Sequence, residues 1–105
     1  MSVENVKDAQ FEKLIKDNDK VIVKYYADWC GSCKLFSPKF KRLAQDPRFD
    51  GVKFIEVNAE ENELARKAAN VDNLPFIATF KKGTLAEASA TSKEDFVVKM
   101  LEKLN

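Results

Sequence analysis

A seven-residue apolar stretch, residues 21–27 (VIVKYYA), runs almost directly into Cys30-Gly31-Ser32-Cys33. Its β-branched and aromatic residues read as a buried strand. Immediately downstream, Phe36, Phe40, Leu43 and Ala44 recur at helical spacing as far as about Gln45. The cysteine pair therefore sits at the joint where a central strand hands over to a helix.

The rest of the chain repeats that alternation. Residues 3–6 suit a short edge strand. Asp8 is placed to cap a helix to about Asn18 with Phe11, Leu14 and Ile15 on one face. Pro38 lies within the cysteine helix and is expected to kink it, and Asp46-Pro47 ends it. Residues 52–58 (VKFIEVN) form the next strand and residues 60–69 a helix of good formers. Residues 71–74 turn into Pro75. Residues 76–80 and 85–90 make a hairpin across Lys82-Gly83. Thr91 and Glu94 have capping-box spacing before a helix whose apolar face is Phe96, Val97, Met100, Leu101 and Leu104. The order β-α-β-α-β-α-β-β-α implies an α/β fold, with a parallel central sheet covered on both faces and an antiparallel hairpin at one edge.

At 105 residues the chain suits one domain, residues 1–105, expected to be monomeric. The 18 basic and 17 acidic residues are dispersed. No basic stripe points to nucleic acid, and no apolar run is long enough to span a membrane. The first residues, MSVENV, lack the pattern of a secretory signal, so a cytoplasmic location is expected. Both cysteines fall in one Cys-x-x-Cys. A bridge closing so short a loop adds little stability, which favours chemistry over stapling. A structural zinc site needs about four ligands, and the chain has no histidine and no third cysteine. No metal or cofactor is expected beyond a redox-active Cys30–Cys33 disulfide.

A helix start offers unpaired N–H groups and partial positive charge. Both stabilise a thiolate at Cys30, which makes it the attacking sulfur, and Lys34 adds positive charge nearby. Cys33, about one turn further in, is expected to be less exposed and to resolve a mixed disulfide. Gly31 is expected to ease closure of the small ring, and Trp29 to shield one side of the site and offer partners an apolar contact. Two ordinary buried thiols, or a metal cluster shared between two chains, are the competing readings.

The segment Ala27-Asp28-Trp29-Cys30-Gly31-Ser32-Cys33-Lys34 resembles the active site of thioredoxins. The resemblance extends over nearly the whole chain through Pro38, Leu74-Pro75 and Phe80-Lys81-Lys82-Gly83. It implies the thioredoxin fold, a central mixed five-stranded sheet flanked by four helices. It also implies a cis Leu74-Pro75 bond, with Pro75 facing the disulfide and Trp29, Leu74 and Pro75 on the docking surface. The implied reaction is reduction of protein disulfides by Cys30 and Cys33. The implied partners are disulfide-containing proteins and a flavin-dependent, NADPH-using thioredoxin reductase, since the chain has no Gly-rich nucleotide motif.

Several positions depart from the family pattern. Ser32 replaces a proline; its hydroxyl and restored N–H can stabilise a thiolate and make the couple more oxidising, unless serine is merely tolerated there. Asn73 replaces a glycine, Phe76 a threonine and Tyr26 a tryptophan, and a glycine is missing near Ala88-Ser89-Ala90. These changes put partner identity in question more than chemistry. A specialised protein with one partner, or a non-catalytic binding module, are therefore alternatives to a general reductase. Lys24 stands where the family has a buried aspartate, and Glu56 where it has the facing lysine. A lone buried charge is costly, so the two are expected to pair with exchanged signs, leaving Glu56 to take the Cys33 proton. Otherwise each side chain reaches solvent separately.

Overall fold

The computed structural model describes residues 2–104. Five strands form one sheet: β1 Glu4–Asn5, β2 Lys20–Tyr26, β3 Lys53–Asn58, β4 Phe76–Lys81 and β5 Thr84–Ala90. Their spatial order is β1-β3-β2-β4-β5. The first three are mutually parallel, β4 runs antiparallel to β2, and β5 antiparallel to β4. The helices are α1 Asp8–Asp17, α2 Gly31–Ala44, α3 Glu63–Ala68 and α4 Glu94–Glu102.

Side chains on successive strand residues point to opposite faces, and here both faces are covered. Val21, Val23 and Tyr25 of β2 join Ile55, Val57, Phe76, Ala78 and Phe80 beneath α1 and α3. Ile22, Phe54 and Ile77 pack with Phe36, Phe40 and Leu43 of α2 and Val97, Met100 and Leu101 of α4. Lys24 and Glu56 share the parity of Ile22 and Phe54, so they fall on the α2 side, directly opposite one another in the β2–β3 register. At the hairpin, Lys82 and Gly83 both take positive φ, 52° and 82°, the combination that a tight two-residue connection requires.

Three local expectations are corrected. Asp8 does not cap α1; Lys7 precedes that helix, and its N–H bonds the Gln10 carboxamide oxygen at 3.2 Å. The Asp8 carboxylate instead accepts from the N–H groups of Leu64 and Ala65, at 3.1 and 2.9 Å, at the start of α3. The Asn62 side-chain oxygen returns a bond by accepting from Asp8 N–H at 2.8 Å. Secondly, α3 begins at Glu63 rather than near residue 60. Asn58 holds a non-helical turn ahead of it: its side chain accepts from Glu60 N–H, and its carbonyl from the Asn62 amide. Thirdly, the Thr91 capping box is absent. Thr91 Oγ1 accepts from Lys93 N–H, two residues on, and α4 starts only at Glu94. The α2 helix is continuous through Pro38, and the Asp46-Pro47 break holds a short 3-10 turn, Pro47–Phe49.

Because Asp8 supplies two donors of another helix with acceptors, Asp8→Ala is expected to destabilise the fold by about 1–2 kcal/mol. Urea unfolding measures this, and a change within experimental error would mean that solvent replaces the carboxylate without loss.

Candidate active site

The β2 strand delivers its chain end to the edge of the α2 face, and Cys30 becomes the N-cap of α2 with an extended backbone. Cys30 N–H is held by the Ala27 carbonyl at 3.1 Å. Cys30 and Cys33 are joined in a disulfide with a Cα–Cα distance of 5.3 Å. Cys33 N–H donates to Cys30 Sγ at 3.2 Å. The sulfur thus occupies the place that a serine or aspartate oxygen takes in an ordinary N-cap. A helix donor aimed at that sulfur favours negative charge on it.

The bridge is nearly covered. Cys30 is 4% and Cys33 2% exposed, so the expected order is present but the difference is small. Ala27 completes the cluster, with Tyr26 and Leu74 packed against it. Trp29 is 69% exposed, and its indole N–H donates to Glu60 at 2.8 Å. It borders a cleft of about 280 Å³ shared with Ala59, Arg66, Val71, Asp72, Asn73 and Leu74. The Leu74-Pro75 bond is cis, and Pro75 is buried. Ser32 and Lys34 are exposed. A Cβ built on Gly31 meets nothing within 4 Å, so the space around the closed ring does not itself demand glycine.

On the other side of the bridge, Lys24 and Glu56 form the exchanged ion pair, with Nζ 3.1 Å from Oε2. Lys24 is 2% exposed and Glu56 24%, so the pair is buried at its cationic end only. Lys24 Nζ also bonds Ser37 Oγ, and Ser37 Oγ donates to the Cys33 carbonyl at 3.1 Å. The Tyr26 and Phe40 rings lie 5.8 and 5.7 Å from the ammonium. Burial pushes the Lys24 ammonium below the usual lysine range, and the Glu56 carboxylate pulls in the opposite direction. Lys24, Glu56, Ser37, Lys34 and Cys33 line one small cleft of about 210 Å³.

Sequence reasoning passed over Ser37 and Glu60. Ser37 follows Cys33 by four residues, which places it on the same helix face, and that spacing is a usable signal. Glu60 meets Trp29 across two loops and has no local signature.

The thioredoxin family model matches residues 2–103. The chain belongs to the thioredoxin family. It is 33% identical to Thioredoxin-T of Drosophila melanogaster over 101 residues, covering 96% of this chain and 64% of that protein. It is 36% identical to the thioredoxin of Mycoplasma genitalium over 74 residues, covering 70% of this chain and 71% of that one. The chain therefore spans about two thirds of the length of these relatives. The crystal structure of oxidised mitochondrial thioredoxin 3 from Saccharomyces cerevisiae matches with a TM-score of 0.87 at 26% identity, over 96% of this chain and 94% of that one. The mixed five-stranded sheet with four helices is the thioredoxin fold, and the Cys30–Cys33 disulfide is the redox centre of a thioredoxin-type thiol–disulfide oxidoreductase. Family membership implies target proteins and a recycling reductase in general terms. Among the described residues, no helix is long and apolar enough to cross a membrane.

The Lys24–Glu56 pair is expected to behave asymmetrically on mutation. Glu56→Leu strands a buried ammonium and is expected to cost about 3 kcal/mol, whereas Lys24→Met/Glu56→Leu recovers part of that loss. A double variant no more stable than Glu56→Leu in urea unfolding would show that the ammonium does not need its carboxylate.

Proposed function

We propose that this chain reduces disulfides in proteins, with Cys30 as nucleophile and Cys33 as resolving thiol. The observation that carries this reading is the N-cap placement of Cys30, whose sulfur receives the Cys33 N–H. The Cys30 thiolate attacks one sulfur of a substrate disulfide, and the other sulfur leaves with the bond's electron pair. Cys33 then attacks Cys30 in the mixed disulfide, forms the Cys30–Cys33 bridge and releases the second substrate thiol. Lys34 and the helix start favour the attacking thiolate. Ser32 offers its hydroxyl to the same charge. Substrate docks over Trp29, Leu74 and Pro75, beside the exposed indole.

Glu56 receives the Cys33 proton at the mouth of the Lys24 cleft, where the carboxylate meets solvent and Cys33 lines the wall. Regeneration of the dithiol falls to a flavin-dependent thioredoxin reductase that draws electrons from NADPH. Residues 1–105 act as one domain that works as a monomeric unit. A reducing compartment, the cytoplasm, suits two cysteines confined to one redox motif.

A second reading, one dedicated partner, draws support from the polar Asp72-Asn73 rim of the cleft beside Trp29. The test common to both is insulin reduction with dithiothreitol. The chain is expected to accelerate insulin precipitation, Cys30→Ser to abolish the effect, and Cys33→Ser to trap substrates as mixed disulfides on Cys30. No acceleration by the intact chain would favour a binding module over either reading.

Ser32→Pro is expected to make the couple more reducing by about 30 mV, a tenfold step in the exchange equilibrium. Glutathione titration measures it; an unchanged or more oxidising potential removes Ser32 from the list of tuning residues.

A further inference from the structure

Lys24 is one of the largest fully buried side chains among the described residues, and the groups nearest its nitrogen suit a cation. Glu56 supplies a carboxylate. Ser37 commits its hydrogen to the Cys33 carbonyl, so its oxygen is left to accept from Lys24. Two aromatic ring faces complete the shell. The neighbouring charges are Glu56 on β3, Lys41 on α2, which opposes the ammonium, and Asp28 and Lys34 on the cleft wall. The ammonium is the inner charge and the carboxylate the outer one, and the inner end connects through Ser37 to the backbone of Cys33 itself.

We propose that Lys24 is the positioning residue that sets the redox poise of the Cys30–Cys33 pair, its buried ammonium holding the reduced pair in thiolate form and making the couple more oxidising. The inference rests on the pair cycling between disulfide and dithiol. In reduction by glutathione, two glutathione thiols surrender two electrons and two protons and become one disulfide. The protein S–S bond takes up both electrons. If both protein sulfurs are protonated, both protons stay on the protein. If one remains thiolate, its proton passes to solvent. A fixed cation in the cleft that Cys33 lines lowers the free energy of a thiolate there and has no such effect on the neutral disulfide. The reduced side of the equilibrium is thereby favoured, which is a more oxidising potential.

The exact exchange Lys24→Glu/Glu56→Lys separates this role from simple structural support. It keeps an ion pair and the net charge but turns the inner charge negative. Potentials are read by glutathione titration, and thiol ionisation by the ultraviolet absorbance of the thiolate. The exchanged variant is expected to raise the lower thiol pKa by about one unit and to reduce the glutathione equilibrium constant about tenfold, or about 30 mV towards more reducing. A potential and thiol pKa equal to the wild type, or shifted the opposite way, would overturn the proposal. Should that variant fail to fold, Lys24→Met carries the test, since it removes the ammonium and leaves the part-exposed carboxylate in place. That change is expected to raise the lower thiol pKa and make the couple more reducing, and no change or the reverse direction would overturn the proposal equally. Both readouts use glutathione alone, so a chain that fails to reduce insulin still gives a decisive answer here.

Discussion

Burial of β2 on both faces is the constraint on which the remainder of the molecule depends. The strand lies at the middle of the sheet, with β3 on one side and β4 on the other, and its interior residues are almost free of solvent contact. A strand in that position can end only where the sheet ends. The chain leaves it through Ala27, Asp28 and Trp29 and enters α2, whose apolar face must return to the same sheet. Cys30 closes that short passage as the N-cap of α2, and Cys33 lies in the first turn of the helix. Their place at a helix N-terminus follows from the packing demands of the core, and the electrostatics favourable to a thiolate follow from the place.

The same geometry explains why Lys24 is tolerated in a layer otherwise made of Ile22, Phe54, Phe40 and Ile77. Isolated, its ammonium would be expensive to bury. The parallel register sets Glu56 directly beside it, and α2 brings Ser37 and Phe40 over the top. The carboxylate retains part of its hydration at the cleft, so only one member of the pair carries a full desolvation penalty. The arrangement links the core of the fold to the underside of the disulfide through one hydroxyl and one carbonyl.

Two clasps bind the parts that the sheet alone would leave apart. The starts of α1 and α3 exchange hydrogen bonds: Asp8 N–H donates to the Asn62 side-chain oxygen, and the Asp8 carboxylate accepts from Leu64 and Ala65 N–H. A six-residue helix such as α3 is too short to stand alone, and this clasp, with the Tyr25 hydroxyl donating to the Ala65 carbonyl at 2.8 Å, fixes it against the sheet. Trp29 and Glu60 join the cysteine loop to the loop after β3 in the same manner. The second clasp shapes one wall of the cleft beside the disulfide.

Apolar periodicity and one spaced cysteine pair were sufficient to read the element order, the covered sheet and the Cys30–Cys33 centre, and the family resemblance, with the cost of a lone buried charge, added the opposition of Lys24 to Glu56. Those features rest on patterns that repeat along the chain, or on charges interrupting such patterns, and a burial requirement makes each of them legible without coordinates. The capping roles were misread because a carboxylate or hydroxyl near a helix start has several N–H groups within reach. For Asp8 the donors that won belong to a helix more than fifty residues away, and for Thr91 the backbone two residues on offered the nearer bond. The partners of Trp29 and Lys24 at Glu60 and Ser37, and the near-complete cover over both sulfurs, were likewise decided by tertiary structure. Hydrogen bonds between separate loops depend on where the packed core sets those loops, and no local pattern in the chain records that distance.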